Sequence, residues 1–574
     1  MVGSGHRVDP SEAFKELGNN WEEFKASKRV IIHLASVSLT QQQRSILQKA
    51  GELNTLESHH FGRLCDIRDA NVDVILITRS PVGKNLLEYY DRLLRLLPAI
   101  RSGKAGAKSS QRSRYLIVVP EAVNSFDKPG CPPFCLSSLL KYSPRALQSM
   151  KAFIKGRPAL VVPGAASHID DYYVADYFAA ALLAPSLQTA KLFNAKTTIR
   201  RVVSMLSEKQ LTENRTGNEE MDLDPRARLL QAPGDYDVYE EEQFYETLAQ
   251  LITANLPSRV YAFKIDFSYN SSLGDLGAGG VPCWSRDIRL TVFSPPRTRH
   301  LSVPREFARM PARSCPNRLL PRAQNRVGGG VIEAMPPAQD WTNLSIEVVI
   351  YPDKSTKVLC SGDQLHAGRK LSCWGWIVPM TSVDPAWVNK VSRALIDDCA
   401  SRGLKGYFTI DLVTFFHEES AEQLLWITGI RPGYSANLAM FQLVGMLADA
   451  DFVIDAQTGT HQLLATPTQD VGKVNPPQEK NGSAFTLFSE LKQENLGIIS
   501  VGNSLPNALR LFINHLKLLH TEINCPKMQG QGCISDCIRE STSILELSQE
   551  NVKNAARRKQ SSTTSTDAVI NDQE

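Results

Sequence analysis

The sequence predicts an α/β fold that begins with an open, doubly wound parallel sheet. Three observations support this prediction. Short apolar runs alternate with helical patterns in the first third of the chain, several runs stop at proline or glycine, and apolar strands and helices return after polar interruptions. Alternation of buried strands with crossover helices is typical of a parallel sheet covered on both faces.

Four apolar runs are the predicted strands of this sheet. They are Val30–Ile32, Val72–Ile77, Tyr115–Val119 and Ala159–Val162. The last two stop at Pro120 and at Pro163-Gly164, because proline cannot donate to a strand ladder and glycine permits a tight turn. Apolar residues at helical spacing predict helices over 86–97 and 144–154.

Two polar segments interrupt the middle of the chain. Residues 208–231 are rich in acidic residues and predict an extended loop. Residues 295–326 alternate arginine with proline and have no steady helical or strand period. They predict a disordered basic insert, with nucleic-acid contact or a mis-predicted exon as the alternatives.

Ordered elements resume after this insert. Asp384-Pro385 predicts the start of a helix, with an N-cap and a first-turn proline, and Gly403 can end it. The strand Gly406–Asp411 follows, and the next strand, Leu424–Ile430, contains no carboxylate. Further apolar patterns predict helices over 438–447 and 507–519 and a strand over 496–501.

Composition argues against several classes of partner. Lys plus Arg total 64 against 60 Asp plus Glu, and a net charge of +4 over 574 residues gives no reason to expect nucleic acid. Residues 1–20 lack the pattern of a secretory signal, and no run reaches the 18 or so apolar residues of a membrane span. Eleven cysteines without a signal fit a reducing compartment, so we expect a cytoplasmic protein.

His168, Asp170 and Asp171 lie close together after the fourth strand. They predict a turn whose carboxylates cap the helix that follows, where they satisfy free amides and favour the positive end of the helix dipole. Acid–base chemistry or metal binding is the alternative. The Cys131/Cys135 and Cys533/Cys537 pairs have no second pair at zinc-finger spacing.

Several strings together resemble one family, the IQ motif-containing protein H group, whose body is similar to ATP-grasp ligases. The strings are Gly62–Asp69, Pro163–Asp171, Gly329–Ala334, Ser361–Gln364 and Gly406–Asp411. The resemblance implies a Rossmann-like pre-ATP-grasp domain followed by a two-lobed α+β ATP-grasp-like domain that clamps ATP between its sheets.

Six segments follow from this resemblance. They are a polar N-terminal segment (1–25), the Rossmann-like domain (26–190), the first ATP-grasp lobe (191–294), the Arg/Pro-rich insert (295–326), the second lobe with C-terminal helices (327–525) and a disordered tail (526–574).

The resemblance also implies a nucleotide site. Lys196 and Lys264 stand where the first lobe offers lysines to the phosphates, and Glu333 matches the hinge acid that faces ribose or adenine. A mobile loop containing Gly277, Gly279 and Gly280 would close over the phosphates with its backbone amides. A flexible hairpin is the alternative interpretation of these glycines.

The metal side of this site is incomplete in the sequence. Asp411 matches a magnesium-binding carboxylate, but the expected Glu-x-Asn-x-Arg strand is represented by Ile427-Thr428-Gly429-Ile430-Arg431. Arg431 can pair with phosphate, whereas the second carboxylate and the amide are missing.

Two functions follow from these residues. The first is a nucleotide-binding regulatory or scaffold protein with a degenerate metal site. The second is an ATP-dependent ligase that joins a carboxylate to an amine or thiol through an acyl phosphate. Both use ATP and Mg²⁺, and the resemblance implies ciliary or sperm-flagellar partners. The sequence contains no Ile-Gln-x-x-x-Arg-Gly-x-x-x-Arg pattern, which argues against calmodulin binding.

Overall fold

We describe the protein from a computed structural model. The structure describes residues 10–36, 41, 44–45, 48, 53, 61–102, 111–127, 132–164, 168–216, 229–255, 257–258, 261–265, 330–366, 373–455, 457–465, 481–487, 496–522 and 534–550. Gly277, Gly279, Gly280 and the 295–326 insert lie outside these residues. The chain forms two compact units, one of Met1–Gln364 with Gly375–Thr466 and one of Leu365–Trp374 with Pro467–Glu574.

The first unit begins with two helices where the sequence predicts a polar segment. They are α1 (Pro10–Asn19) and α2 (Trp21–Ala26). Phe14, Trp21 and Phe24 are each only 6% exposed. The segment predicted as polar over 1–25 therefore contains two helices, and three widely spaced aromatic residues bury one side of the pair.

The predicted parallel sheet is confirmed. Its strands are β1 (Arg29–Leu34), β2 (Val72–Ile77), β3 (Tyr115–Val118), β4 (Ala159–Pro163) and β5 (Ala181–Leu182). Their spatial order is β3-β2-β1-β4-β5, and each neighbouring pair is parallel. The order reverses at β1, as in other doubly wound sheets.

Helices cover this sheet. They are α3 (Lys84–Ser102), α4 (Val123–Phe126), α5 (Leu136–Lys141), α6 (Pro144–Ile154) and α7 (Ile169–Tyr177). Alternate strand residues Val30, Ile32 and Leu34 form one core with α5, α6 and α7. The period of two along β1 places Ile31 and His33 on the opposite face.

A small antiparallel sheet forms the first lobe. It contains β7 (Gly234–Val238), β8 (Tyr261–Ile265) and β9 (Gly330–Ala334), in the order β7-β9-β8. Two helices contact it, α9 (Lys196–Thr216) and α10 (Glu241–Ala254), and α9 is preceded by α8 (Leu187–Asn194). Residues 208–216 belong to α9 and residues 230–231 form a short strand, so the extended loop predicted over 208–231 is wrong for these residues.

A six-stranded sheet forms the second lobe, with the order β12-β11-β10-β13-β14-β6. The strands are β6 (Leu230–Gln231), β10 (Trp341–Ile350), β11 (Thr356–Leu365), β12 (Gly375–Ile377), β13 (Gly406–Phe416) and β14 (Gln423–Pro432). Helix α11 (Pro385–Ser401) shares a core with β10, β13 and β14. As predicted, Asp384 caps this helix by accepting the Ala386 N–H.

The prediction that Asp411 closes its strand is wrong. The strand β13 continues five residues further, to Phe416, and returns as β14 after a short turn. Leu412, Val413 and Phe415 are each 2% exposed or less, so burial of these side chains extends the strand. Asp411 therefore lies in the middle of a sheet rather than at its edge.

The remaining described elements of the first unit are a helix and a hairpin. The helix is α12 (Ala436–Ala448), and the hairpin consists of β15 (Ala450–Ile454) and β16 (His461–Ala465). Helix α12 packs on the 3-10 helix Phe61–Arg68, which lies beside the parallel sheet.

The second unit contains the hairpin β17 (Gly482–Leu487) and β18 (Leu496–Val501), the helix α13 (Leu505–Glu522), and a helix over 534–550. Leu516, Cys537, Phe512 and Trp374 form its apolar cluster. The disordered tail predicted over 526–574 is therefore wrong for 534–550, where Ile534, Cys537, Ile538 and Ser541 recur at helical spacing.

Among the described residues, no helix combines the length and the apolar character that crossing a bilayer requires.

Candidate nucleotide site

Lys196 is the first residue of the long helix α9, and it is only 9% exposed. Burial lowers the pKa of its ammonium to about 8, the positive charges of Lys264 and Arg431 act in the same direction, and Asp411 and Glu333 oppose them. These four charged groups come from the strands β8, β9, β13 and β14. The structure therefore brings together Lys196, Lys264, Glu333, Asp411 and Arg431, which we call the charged cluster.

Glu333 is held by cations on two sides. Its Oε2 lies 2.6 Å from the Nζ of Lys264 and its Oε1 lies 3.3 Å from the Nη1 of Arg200, one turn after Lys196 in α9. Burial acts to raise the pKa of Glu333, but Lys264 and Arg200 hold it below the usual value. The register pairs Ala262 with Glu333 and Lys264 with Val331, so Lys264 and Glu333 lie on one face of the small sheet.

Lys264 also joins the two lobes. Its Nζ donates a hydrogen bond to the carbonyl oxygen of Thr428 in β14, at 2.9 Å. A single ammonium group thus contacts a carboxylate of the first lobe and a backbone carbonyl of the second. An ammonium has three donors, and among the described residues these two contacts account for two of them.

Asp411 is paired with Arg431 through two parallel hydrogen bonds. The Nε and Nη2 atoms of Arg431 lie 2.6 and 2.8 Å from the two carboxylate oxygens. Ser345 donates a further hydrogen bond to Asp411 at 3.0 Å, and Gln364 donates to the Ser345 hydroxyl at 2.6 Å. Bidentate pairs of this kind are strong, so a magnesium ion would have to share Asp411 with a guanidinium.

The register of β13 and β14 changes beside Asp411. Asp411 lies opposite Gly429, whereas Leu412 lies opposite Ile427, so Thr428 is an extra residue at this bulge. Ile427 is 4% exposed and belongs to the apolar core. The bulge therefore turns the side chain of Ile427 away from the face of Asp411 and into the apolar core.

The sequence analysis missed Glu347, a carboxylate on the neighbouring strand β10. It is 1% exposed, and it accepts hydrogen bonds from Thr409 at 2.9 Å, Ser435 at 2.7 Å and Asn437 at 3.3 Å. Burial raises the pKa of Glu347, although Arg431 and these donors act in the opposite direction.

Glu347 lies opposite Thr409, and Ser345 lies opposite Asp411, so Glu347 and Asp411 are diagonal neighbours on one face of the sheet. The sequence did contain a signal for it. In β10, Ser345 and Glu347 alternate with the apolar residues Leu344, Ile346 and Val348. This alternation predicts a strand with one face in the apolar core and the other in polar surroundings.

A separate cavity of about 490 Å³ lies in the same unit. Its walls include Trp21, Phe24, Asp66, Tyr351 and Tyr407, and no residue of the charged cluster lines it. Tyr407 and Asp411 lie four residues apart on β13, on the same face, which corresponds to roughly 13 Å along a strand. The second-lobe sheet therefore presents the charged cluster and the wall of this cavity on one surface.

The string Gly62–Asp69 supplies the buried polar groups behind this cavity. Asp66 lies 2.7 Å from the Nε2 of His33, and the guanidinium of Arg63 lies 3.1 Å from the Nδ1 of the same ring. Arg63 also stacks over Tyr434, with its Cζ 3.9 Å from the ring centre. His33 is fully buried, and burial lowers its pKa despite the hydrogen bond that its Nε2–H donates to Asp66.

Gly277, Gly279 and Gly280 lie outside the described residues, so the phosphate-covering loop stays a prediction.

Comparisons with known proteins agree with these features. A family described as "IQCH-like, ATP-grasp" matches residues 223–274 and 326–455, which include Lys264, Glu333, Asp411 and Arg431. IQ motif-containing protein H of Danio rerio is 29% identical over 591 residues. The match covers 94% of this chain and 52% of that protein, so the chain spans about half the length of this relative.

Two solved structures resemble the chain at low identity. Biotin carboxylase from Campylobacter jejuni, in a complex with β-γ-ATP, has 10% identity and a TM-score of 0.42 over 85% of this chain and 91% of that one. The ADP complex of N5-carboxyaminoimidazole ribonucleotide synthetase has 13% identity and a TM-score of 0.37 over 76% of each chain.

The family match includes both lobes and four of the five charged residues, and the curated relative aligns with nearly the whole chain. The chain is therefore similar to the IQ motif-containing protein H family, and residues 223–274 and 326–455 match its ATP-grasp-like region.

Proposed function

We propose that the charged cluster binds the triphosphate of Mg-ATP between the two lobes. The supporting observation is an excess of buried positive charge. Among the described residues, Lys196, Lys264, Arg200 and Arg431 are gathered with Glu333 and Asp411, so the group has two more cationic than anionic side chains, or one more if Glu347 is counted. Gathering like charges away from water is costly, so a bound anion would stabilise a site of this kind.

The position of Lys196 supports the same proposal. It begins a helix of 21 residues, and the free N–H groups and the dipole at such an end favour phosphate. The lysines act as mobile point charges, whereas Arg431 offers a planar fork.

The metal side of the cluster favours a regulatory or scaffold protein that responds to nucleotide. Asp411 already pairs with Arg431 and Ser345, and β14 presents Gly429 where relatives would present a ligand. Magnesium needs several oxygen ligands in near-octahedral geometry, so a site with one shared carboxylate holds it weakly. The similarity to IQ motif-containing protein H favours a location in cilia or sperm flagella, with ciliary proteins as partners.

The alternative is an ATP-dependent ligase that forms an acyl phosphate. Glu347 favours it, because it places a second carboxylate diagonally from Asp411. The cavity of about 490 Å³ along the same face could hold a second substrate. In this case catalysis would consist mainly of positioning and charge neutralisation.

Thermal unfolding with and without Mg-ATP tests nucleotide binding. At a nucleotide concentration 100 times its Kd, the fold should gain about 2.7 kcal/mol of stability. Lys264→Ala should abolish most of this gain, because it removes the ammonium that touches both lobes.

Lys405→Ala is the matched control, since Lys405 packs over the Phe14 ring at 4.3 Å and belongs to no part of the cluster. The Lys405→Ala variant should keep the full gain in stability with Mg-ATP. Absence of stabilisation at millimolar Mg-ATP in the unmodified chain would reject both versions of the proposal. If stabilisation occurs, ADP release with added carboxylates and amines distinguishes the ligase from the regulatory protein.

A further inference from the structure

A second group of polar side chains lies in the Rossmann-like domain, away from the nucleotide site. The sulfur of Cys135, an imidazole nitrogen of His168 and a carboxylate oxygen of Asp170 all lie within 4.8 Å of one another. Cys135 directly precedes α5, and His168 directly precedes α7. These two helices pack on each other, which brings together residues more than 30 positions apart.

Capping explains part of this arrangement. His168 is the N-cap of α7: its Nδ1 accepts the Asp170 N–H at 3.1 Å, and the Asp171 carboxylate accepts the His168 N–H at 2.6 Å. The predicted cap is therefore present for Asp171 alone, and the helix starts at Ile169 rather than at Tyr172, with His168 as its N-cap. Capping uses neither the thiol of Cys135 nor the carboxylate of Asp170.

The remaining groups form a pocket rich in donor atoms for a cation. Cys135 is fully buried, and its sulfur lies 2.9 Å from the Ser138 hydroxyl. Asp170 accepts from the same hydroxyl at 2.5 Å and pairs with Lys141 at 3.0 Å. Next to them, Asp171 is fully buried, and among the described residues its Oδ1 has no hydrogen-bond partner. Buried carboxylates beside a thiol favour a nearby positive charge.

We propose that Cys135, His168 and Asp170 bind one zinc ion, with a water molecule as the fourth ligand. Sulfur, nitrogen and oxygen donors of this kind suit zinc, whereas magnesium and calcium prefer oxygen alone. Even at separations of 4.8 Å, movements of less than about 1 Å bring the three atoms onto zinc bond lengths of about 2.0–2.3 Å. Binding releases the thiol proton of Cys135 to solvent as the sulfur–zinc bond forms.

Zinc binding would cost little in lost hydrogen bonds and ion pairs. If zinc bound His168 through Nδ1, the bond from the Asp170 N–H would be lost, and losing one capping bond costs about 1 kcal/mol. The bond from His168 N–H to Asp171 remains. Lys141 has a side chain that is 34% exposed, so it can turn toward solvent when the ion neutralises Asp170. The ion would then fix α5 against α7 beside the end of β4.

Titration of the full chain with Zn²⁺ and with Co²⁺ tests this site. One equivalent of Zn²⁺ should bind in competition with a chromophoric chelator, and Co²⁺ should give the near-ultraviolet band of a thiolate–cobalt bond. Cys135→Ala should remove the band and weaken zinc binding by more than about 100-fold. His168→Asn should also weaken zinc binding, although asparagine preserves the helix cap.

Cys399→Ala is the matched control, because Cys399 is equally buried in the core of the second lobe. It should bind both metals like the unmodified chain. The proposal is overturned if the unmodified chain gives no thiolate–cobalt band, or if Cys135→Ala and His168→Asn both retain stoichiometric zinc binding. Far-ultraviolet circular dichroism confirms that each variant is folded before titration.

Discussion

Burial of Lys196 lowers the stability of the fold, and it also places a cation in the proposed nucleotide site. Burial and two neighbouring cations lower its pKa to about 8, from 10.5. Below pH 8 the lysine is protonated in both folded and unfolded chains, so the fold bears the whole cost, of about 3 kcal/mol. Between pH 8 and 10.5 the unfolded chain binds more protons, so this residue makes stability rise with pH over that window.

The same pKa predicts proton uptake when Mg-ATP binds. A triphosphate beside Lys196 favours its charged form, so binding should take up about 0.7 proton near pH 8.5 but only about 0.1 near pH 7. Calorimetric titration in two buffers of different ionisation enthalpy measures this uptake. The difference between buffers should be large near pH 8.5 and small near pH 7.

Lys196→Met is the corresponding control, since methionine fills a similar volume without a charge. It should abolish the uptake near pH 8.5 and weaken nucleotide binding, while raising the stability of the free protein at pH 7. An uptake that is unchanged in this variant would show that another group titrates.

Individual elements show which features local patterns can predict. The parallel strands and the helix after Asp384-Pro385 follow from apolar runs, proline positions and caps, all of which act within a few residues. The bulge between Asp411 and Leu412 depends on hydrogen bonds between two strands, and no local pattern encodes that register. For this reason the sequence predicted the strand β14 but not the bulge at Thr428, which sets the face on which Ile427 lies.

Gly62 provides a test of element packing. It lies in the 3-10 helix Phe61–Arg68 against α12, where an added Cβ would lie 1.6 Å from the carbonyl oxygen of Ala439. Backbone cannot yield as a flexible side chain can, so Gly62→Ala should destabilise the first unit by at least about 3 kcal/mol. Urea unfolding, followed by tryptophan fluorescence, measures the change.

Gly156→Ala separates packing from backbone strain. Gly156 has φ +74°, but nothing lies within 4 Å of an added Cβ. This variant should lose only about 1 kcal/mol, the usual cost of a left-handed alanine. An equal loss of stability in Gly62→Ala and Gly156→Ala would mean that the 3-10 helix and α12 move apart at little cost in free energy.

At the scale of the whole molecule, the charged cluster is assembled from five elements that span more than 230 residues of sequence. The family resemblance pointed to five residues, and the structure brings them together. They are Lys196, Lys264, Glu333, Asp411 and Arg431. Their pairing could not be predicted, because it depends on how two sheets face each other. Glu347 was missed for the same reason, since only the packing of β10 beside β13 brings it near Asp411.

This assembly predicts that nucleotide slows local opening on both lobes at once. The hydrogen bond from Lys264 to the Thr428 carbonyl joins them, and an anion held by Lys196, Lys264 and Arg431 would strengthen that connection. Hydrogen exchange with Mg-ATP should therefore become slower in residues 261–265 and 330–334 and also in 406–411 and 427–431.

The parallel sheet supplies an internal reference, because residues 72–77 and 115–118 lie in a different sheet from the cluster and should exchange at unchanged rates. In Lys264→Ala the protection should disappear from both lobes together, since the group that connects them is removed. Protection confined to one lobe would contradict a site shared between them: each lobe would then meet the nucleotide alone, and the excess positive charge between the sheets would need another anion.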